Sequence, residues 1–213
     1  MPTTDLLNFA LTSFVTLLVV VDPIGVVPIF ASLVGHVPAG ERRAVLRRAV
    51  MVAFGIALFF LLAGKALLVY LGVTVHAFGI SGGILLFAVA MPMLFGHRAG
   101  LQAPESGEHA ASGEDLAIFP MAIPLLSGPG TIATVLLLTA EADGDAIRLA
   151  VIGANVAVIF GLTLFVLSLG EHVLARLGTG KVHMITRVMG IVLAALAVQY
   201  VLDGVAGYYR ELN

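Results

Sequence analysis

The chain has 213 residues, of which 60% are hydrophobic and 11% charged, with a formal net charge of −2 and a mean hydropathy of +1.08. A soluble domain carries about one quarter charged residues, so this balance excludes an ordinary water-soluble fold. No basic stripe is large enough for nucleic acid, and without cysteine there are no disulfides or thiolate metal ligands.

Crossing the ~30 Å hydrocarbon core takes an α-helix of roughly 20 apolar residues. Six runs of that kind nearly exhaust the chain: Leu6 to Phe30, Ala49 to Leu71, Ala77 to Phe95, Leu116 to Ala140, Leu149 to Leu169 and Val188 to Ala206. None alternates polar and apolar residues as a membrane β-strand does, and none has the polar face of a soluble bundle. The expected fold is therefore an all-α integral membrane protein with six transmembrane helices.

The first run lacks the basic flank and small-residue cleavage site of a secretory signal, so it is expected to be retained. It is interrupted by Val21-Asp22-Pro23-Ile24-Gly25-Val26-Val27-Pro28. Proline removes a backbone donor and clashes with the preceding turn, and glycine loosens the backbone, so a break with freed amides and carbonyls is expected there. In the second run Lys65 lies near the outer end, where its side chain can snorkel to the interface. Gly79, Gly82 and Gly83 open one face of the third run to close helix packing, and His76 and His97 fall at membrane boundaries, without metal-ligand spacing.

Residues 102–115, rich in Ala, Ser, Gly and Glu, are expected to form a flexible cytoplasmic connector. The fourth run is interrupted like the first, at Pro124-Leu125-Leu126-Ser127-Gly128-Pro129-Gly130-Thr131. Asn155 in the fifth run and Gln199 in the sixth are expected to hydrogen-bond between helices.

Basic residues stay on the cytoplasmic side. Arg42, Arg43, Arg47 and Arg48 follow the first helix, Arg98 the third, and Arg176, Lys181 and Arg187 the fifth, all on one side. Both termini are then expected outside.

A shift of about 106 residues brings the chain into register with itself. Gly83-Ile84-Leu85-Leu86-Phe87-Ala88-Val89-Ala90 resembles Gly190-Ile191-Val192-Leu193-Ala194-Ala195-Leu196-Ala197, Gly64 and Gly72 pair with Gly170 and Gly178, and Pro23 falls on Pro129. Residues 1–101 and 116–213 are thus expected to be two three-helix repeats. With an odd number of crossings in each, the second is inverted relative to the first, as in many secondary transporters.

Paired breaks in corresponding positions of two repeats mark a midplane substrate site. The second half-helix offers amides and a positive dipole end to an anion, and the freed carbonyls of the first suit a cation. Asp22 and Ser127 are candidates to cap the following half-helices, with Pro23 at the first helical position. The competing reading is a pair of proline kinks serving packing, but an ionisable residue deep in a span favours function. The candidate substrate-binding residues are Asp22, Pro23, Gly25 and Pro28 from the first break, and Pro124, Ser127, Gly128, Pro129, Gly130 and Thr131 from the second.

These two motifs, together with Met189-Gly190-Ile191-Val192-Leu193-Ala194-Ala195-Leu196-Ala197-Val198-Gln199, resemble the MarC family of bacterial and archaeal multi-pass membrane proteins over nearly the whole chain. The resemblance implies six helices in the cytoplasmic (inner) membrane and a distant relation to amino-acid exporters of the LysE type, some relatives carrying small neutral amino acids.

The expected function is a secondary transporter of a small metabolite such as a neutral amino acid, working by alternating access. Its partners are that substrate, a coupling proton or sodium ion, and the lipid bilayer; association with further copies is left open. No cofactor or metal is expected, and no ATP-binding P-loop is present. An intramembrane enzyme would need a nucleophile with a base, a paired acid and base, or a metal cluster, which these runs do not supply. A structural or regulatory subunit without substrate is the other alternative.

Overall fold

In the computed structural model the described residues are 3–34, 37–95, 122 and 126–212, and the helices are the only regular elements among them. In chain order they are α1 (Thr3–Val21), α2 (Val26–Leu33), α3 (Ala39–Leu71), α4 (Val75–Phe95), α5 (Pro129–Glu141), α6 (Ala146–Ser168) and α7 (Gly170–Leu212). Among the described residues five spans are long and apolar enough to cross a bilayer: Thr4–Ala31 (α1 with α2), Ala39–Leu71, Val75–Phe95, Ala146–Ser168 and Met184–Arg210; α5 is a shorter apolar helix. The chain is thus an all-helical membrane protein. Most of the first half of the fourth run, including Pro124, and the connector 102–115 lie outside the described residues.

Lipid tails are as apolar as leucine, so burying leucine does not by itself drive these helices together; close packing does. On α3 the buried stripe runs Ala49, Ala53, Ala57, Leu61, Gly64 and Leu68, with the three alanines fully covered. Small side chains at one-turn intervals let α6 lie close. Phe54 meets Phe160 at 6.0 Å between ring centroids, and a Cβ on Gly153 would touch Leu61, so α3 and α6 run antiparallel. The larger apolar side chains face outward instead, as on Leu62 and Tyr70.

The α4–α7 seam is built on glycine. A Cβ on Gly83 would stand 2.6 Å from the Ala197 carbonyl and within 3.2 Å of atoms of Tyr200 and Val201. On the facing helix, a Cβ on Gly190 would stand 3.3 Å from the Ala90 carbonyl and within 3.2 Å of Met93 and Leu94. The helix α5 runs antiparallel to α4, with Gly82 against Ala133 and Gly79 against Leu137. By contrast α1 runs parallel to α6: Phe9 lies under Arg148, whose guanidinium carbon is 5.2 Å from the ring centre, and Ser13 meets Asn155.

Asn155 joins helices as expected, donating to Ala10 O at 3.0 Å and Ser13 Oγ at 2.8 Å. Gln199 does not. Its Nε2 donates at 2.7 Å to Asp203, because residues four apart lie one turn along the same exposed face of the helix. The arginines 42, 43, 47 and 48 are also not in a loop. Helix α3 begins directly after Pro38, since Ala-Gly-Glu-Arg-Arg-Ala-Val-Leu continues the helical pattern, with Val45 and Leu46 buried and Arg43 and Arg47 exposed. Likewise residues 170–187 belong to α7, which at 43 residues and 1.5 Å per residue is roughly 65 Å long, about twice the hydrocarbon core.

Candidate functional site: two helix breaks and their unpaired polar atoms

The first break is a turn at Asp22–Gly25 between α1 and α2. Asp22 has φ +44, the left-handed region that an aspartate tolerates better than most residues. That conformation folds its carboxylate over the turn, where Oδ1 accepts from Gly25 N at 3.1 Å and the Asp22 carbonyl accepts from Val26 N at 3.2 Å. The amide end of α2 is therefore already answered by Asp22. Gly25, with φ −65, is the N-cap and is needed for room: a Cβ there would collide with Asp22 Oδ2. Pro23 is buried in the turn ahead of α2, not at its first helical position, and Pro28 is the third residue of α2, half-buried.

At the second break Ser127 N bonds to Ala122 O at 2.9 Å, a five-residue step wider than an α-helical turn. The chain then extends at Gly128 (φ −77, ψ 178), and Pro129 begins α5. Gly128, and not Ser127, is the N-cap, and no side chain caps the helix. A proline at the first position matches the ordinary helix start, because its missing N–H would have no intrahelical partner there. The next amides, of Gly130 and Thr131, belong to the first turn, whose donors an α-helix leaves unmatched. Thr131 Oγ1 donates to Leu126 O at 3.1 Å, taking up a carbonyl released by the break.

The polar side chain of each break is shut away from the surface, Asp22 being 5% and Ser127 0% exposed, while Ile24 in the first turn is exposed. Among the described residues each break keeps one polar side-chain atom without a partner, Asp22 Oδ2 and Ser127 Oγ. They are neighbours within the fold, for a Cβ on Gly130 would stand 3.4 Å from Val20, two residues before Asp22. Helix α4 lines both: Leu86 lies against Gly130 and Met93 against Gly25. Of the ten candidate residues, Asp22, Pro23 and Gly25 thus form one side, and Ser127, Gly128, Pro129, Gly130 and Thr131 the other. Pro28 sits one turn along α2, and Pro124 is outside the described residues.

Sequence reasoning missed Tyr200 and Thr134. Thr134 Oγ1 donates to Gly130 O at 2.8 Å and lies 2.7 Å from the Tyr200 hydroxyl. Since the one hydroxyl proton of Thr134 goes to Gly130, Tyr200 is the donor, and α7 is tied to the first turn of α5. Thr134, four residues after Gly130, has the spacing of a backbone-bonding threonine, but nothing local points to a tyrosine 66 residues away.

No solved structure matches the chain. Similar proteins include the UPF0056 membrane protein YvbG of Bacillus subtilis, 34% identical over 97% of this chain and 98% of its own length. A UPF0056 membrane protein of Pyrococcus horikoshii is 36% identical over 89% of this chain and 90% of its own. The UPF0056 inner membrane protein YhgN of Escherichia coli is 34% identical over 93% and 97%. The family pattern described as MarC family integral membrane protein matches residues 7–209. With that match spanning both breaks and the whole glycine seam, the chain belongs to the MarC family.

Proposed function

We infer that the chain is a secondary transporter of a small zwitterionic metabolite, neutral amino acids being the class that fits best. The observation that carries this reading is the pair of buried atoms without a partner among the described residues, Asp22 Oδ2 and Ser127 Oγ, one in each helix break. An unsatisfied buried polar group costs about 1–3 kcal/mol, so one in each of two neighbouring breaks favours a ligand that satisfies both. A substrate ammonium group answers Asp22 Oδ2. A substrate carboxylate answers Ser127 Oγ and the uncapped first turn of α5, whose dipole end is positive. The amide end of α2 is occupied by Asp22 itself, which fixes the direction in which such a zwitterion lies. Coupling to a proton or sodium ion assigns Asp22 a second task, as the carboxylate that ion neutralises.

Alternating access follows from two inverted three-helix repeats, 1–101 and 116–213. The α4–α7 contacts support that arrangement: moving Gly83, Ala90, Met93 and Leu94 forward by 107 positions gives Gly190, Ala197, Tyr200 and Val201, the partners on the other side of the seam. Helix directions support it as well, with α1 parallel to α6 and α4 antiparallel to both α5 and α7. In this reading both termini face outward and the arginine-rich start of α3 faces the cytoplasm.

The test is uptake and counterflow of labelled neutral amino acids in proteoliposomes under proton and sodium gradients, comparing wild type, Asp22→Asn and Ser127→Ala. Gradient-dependent flux in wild type, lost in Asp22→Asn and weakened in Ser127→Ala, is expected. Wild-type protein that moves none of them overturns the substrate class, and flux unchanged in both variants overturns the site and returns the chain to a packing or regulatory role.

A further inference from the structure

Away from the helix breaks, a cavity of approximately 340 Å³ opens between the start of α3 and the end of α6, lined by Arg43, Leu46, Arg47, Leu164, Ser168 and Leu169. Its chemistry is layered. Arg43 and Arg47 are one turn apart on one face of α3, so their guanidinium groups reach the same space. Among the described residues neither makes an ion pair or hydrogen bond, and no carboxylate lines the cavity. Below them Leu46 is buried and Leu164 half-buried, and Leu169 completes an apolar wall. The Ser168 hydroxyl donates its proton to Phe165 O at 2.7 Å and is left as an acceptor.

From this arrangement we propose that the α3–α6 cavity is a binding site for an anionic phospholipid whose headgroup carries a free hydroxyl, as in phosphatidylglycerol. The phosphodiester meets Arg43 and Arg47, the guanidinium fork being matched to phosphate oxygens. The headgroup hydroxyl donates to Ser168 Oγ, and the glycerol backbone and first methylenes lie on the leucines. A free phosphate uses the arginines but leaves the apolar wall uncovered. A zwitterionic choline headgroup brings a cation towards two guanidinium groups and no hydroxyl for Ser168. Basic pockets between helices at the cytoplasmic boundary are a recurrent setting for anionic headgroups. Because α3 and α6 also flank the break-bearing helices, a lipid bridging them holds the pair together at that end.

The protein purified in detergent is titrated separately with phosphatidylglycerol, phosphatidylcholine and inorganic phosphate, and bound copies are counted by native mass spectrometry. One phosphatidylglycerol per chain, retained in preference to phosphatidylcholine, is expected. The Arg43→Gln/Arg47→Gln pair weakens it roughly thirtyfold, about fivefold for each guanidinium. Ser168→Glu, which keeps both arginines but adds a carboxylate to the cavity, weakens it too. Arg187→Gln, an exposed charge outside the cavity, leaves it unchanged. Equal retention of phosphatidylcholine, an undiminished double variant, or a loss as large in Arg187→Gln overturns the site. Inorganic phosphate binding as tightly as phosphatidylglycerol overturns the lipid as its occupant.

Discussion

The hydroxyl of Tyr200 lies 2.7 Å from Thr134 Oγ1, and it donates, because the Thr134 proton is already held by the Gly130 carbonyl. A single relay therefore runs from α7 to the first turn of α5. Its two members are unequal when removed. Tyr200→Phe deletes a donor and leaves Thr134 still bonded to Gly130, costing about 1 kcal/mol. Thr134→Val strands a buried phenol and costs more, about 1–3 kcal/mol. The double variant should cost less than the sum of the two. Unfolding of the purified protein in detergent measures all three, and equal single-variant losses that add would refute the direction of the bond.

Gly25→Ala places a methyl group on the Asp22 carboxylate. The residue has an ordinary helical φ, so the effect is displacement of Asp22 and not backbone strain. Transport should fall as far as in Asp22→Asn while the folded yield stays near wild type; an active Gly25→Ala would show that the position of the carboxylate does not matter.

The glycines separate by neighbourhood. Gly83→Val and Gly190→Val each drive a side chain into the facing helix's backbone and should destabilise by about 1–3 kcal/mol. Gly55→Ala, on α3 with open space around it, should stabilise by about 0.5–1 kcal/mol. Thermal unfolding of the three variants orders them, and a neutral Gly83→Val would contradict the close approach of α4 and α7.

Asn155 holds α6 to α1 through two acceptors. Asn155→Leu should cost about 1–2 kcal/mol, within the range for interhelical hydrogen bonds in membranes. Ser13→Ala removes one of the two and should cost less. A larger loss in Ser13→Ala would indicate that the Ser13 bond to Phe9 O at 2.7 Å dominates instead.

The cysteine-free sequence makes topology accessible. With a membrane-impermeant thiol reagent on intact cells, Asp143→Cys, in the exposed turn between α5 and α6, should label, and Gly40→Cys, at the start of α3, should label only after lysis. The reverse pattern would invert the orientation.

The spans were legible because lipid demands long apolar runs, and both breaks because Asp22-Pro23 and Gly128-Pro129-Gly130 are unusual inside such runs. What each residue does at a break was less so. Capping depends on backbone torsions, and the φ of +44 at Asp22 turns its carboxylate onto Gly25, while at the other break Gly128 takes the cap and leaves Ser127 Oγ over. The helical start of α3 at Ala39, ten residues before the apolar run, is not legible from apolar length, which marks only the hydrocarbon, whereas a helix can continue into the headgroups. The Gln199 bond to Asp203 has a local mark, the four-residue helical spacing, whereas Tyr200 with Thr134 lies beyond any local pattern.

The glycine notches on the α4–α7 seam, at Gly83 and Gly190 and again at Gly204 against the His76 carbonyl, also limit how these two helices can move. Each notch receives the backbone of the facing helix, so a piston-like slide of one helix along the other drives a carbonyl out of one notch and a side chain into its rim. Rolling about the line through the notches keeps them engaged. The seam therefore has the geometry of an axle: a relative motion of α4 and α7 that keeps these contacts is a roll about it, not a slide along it.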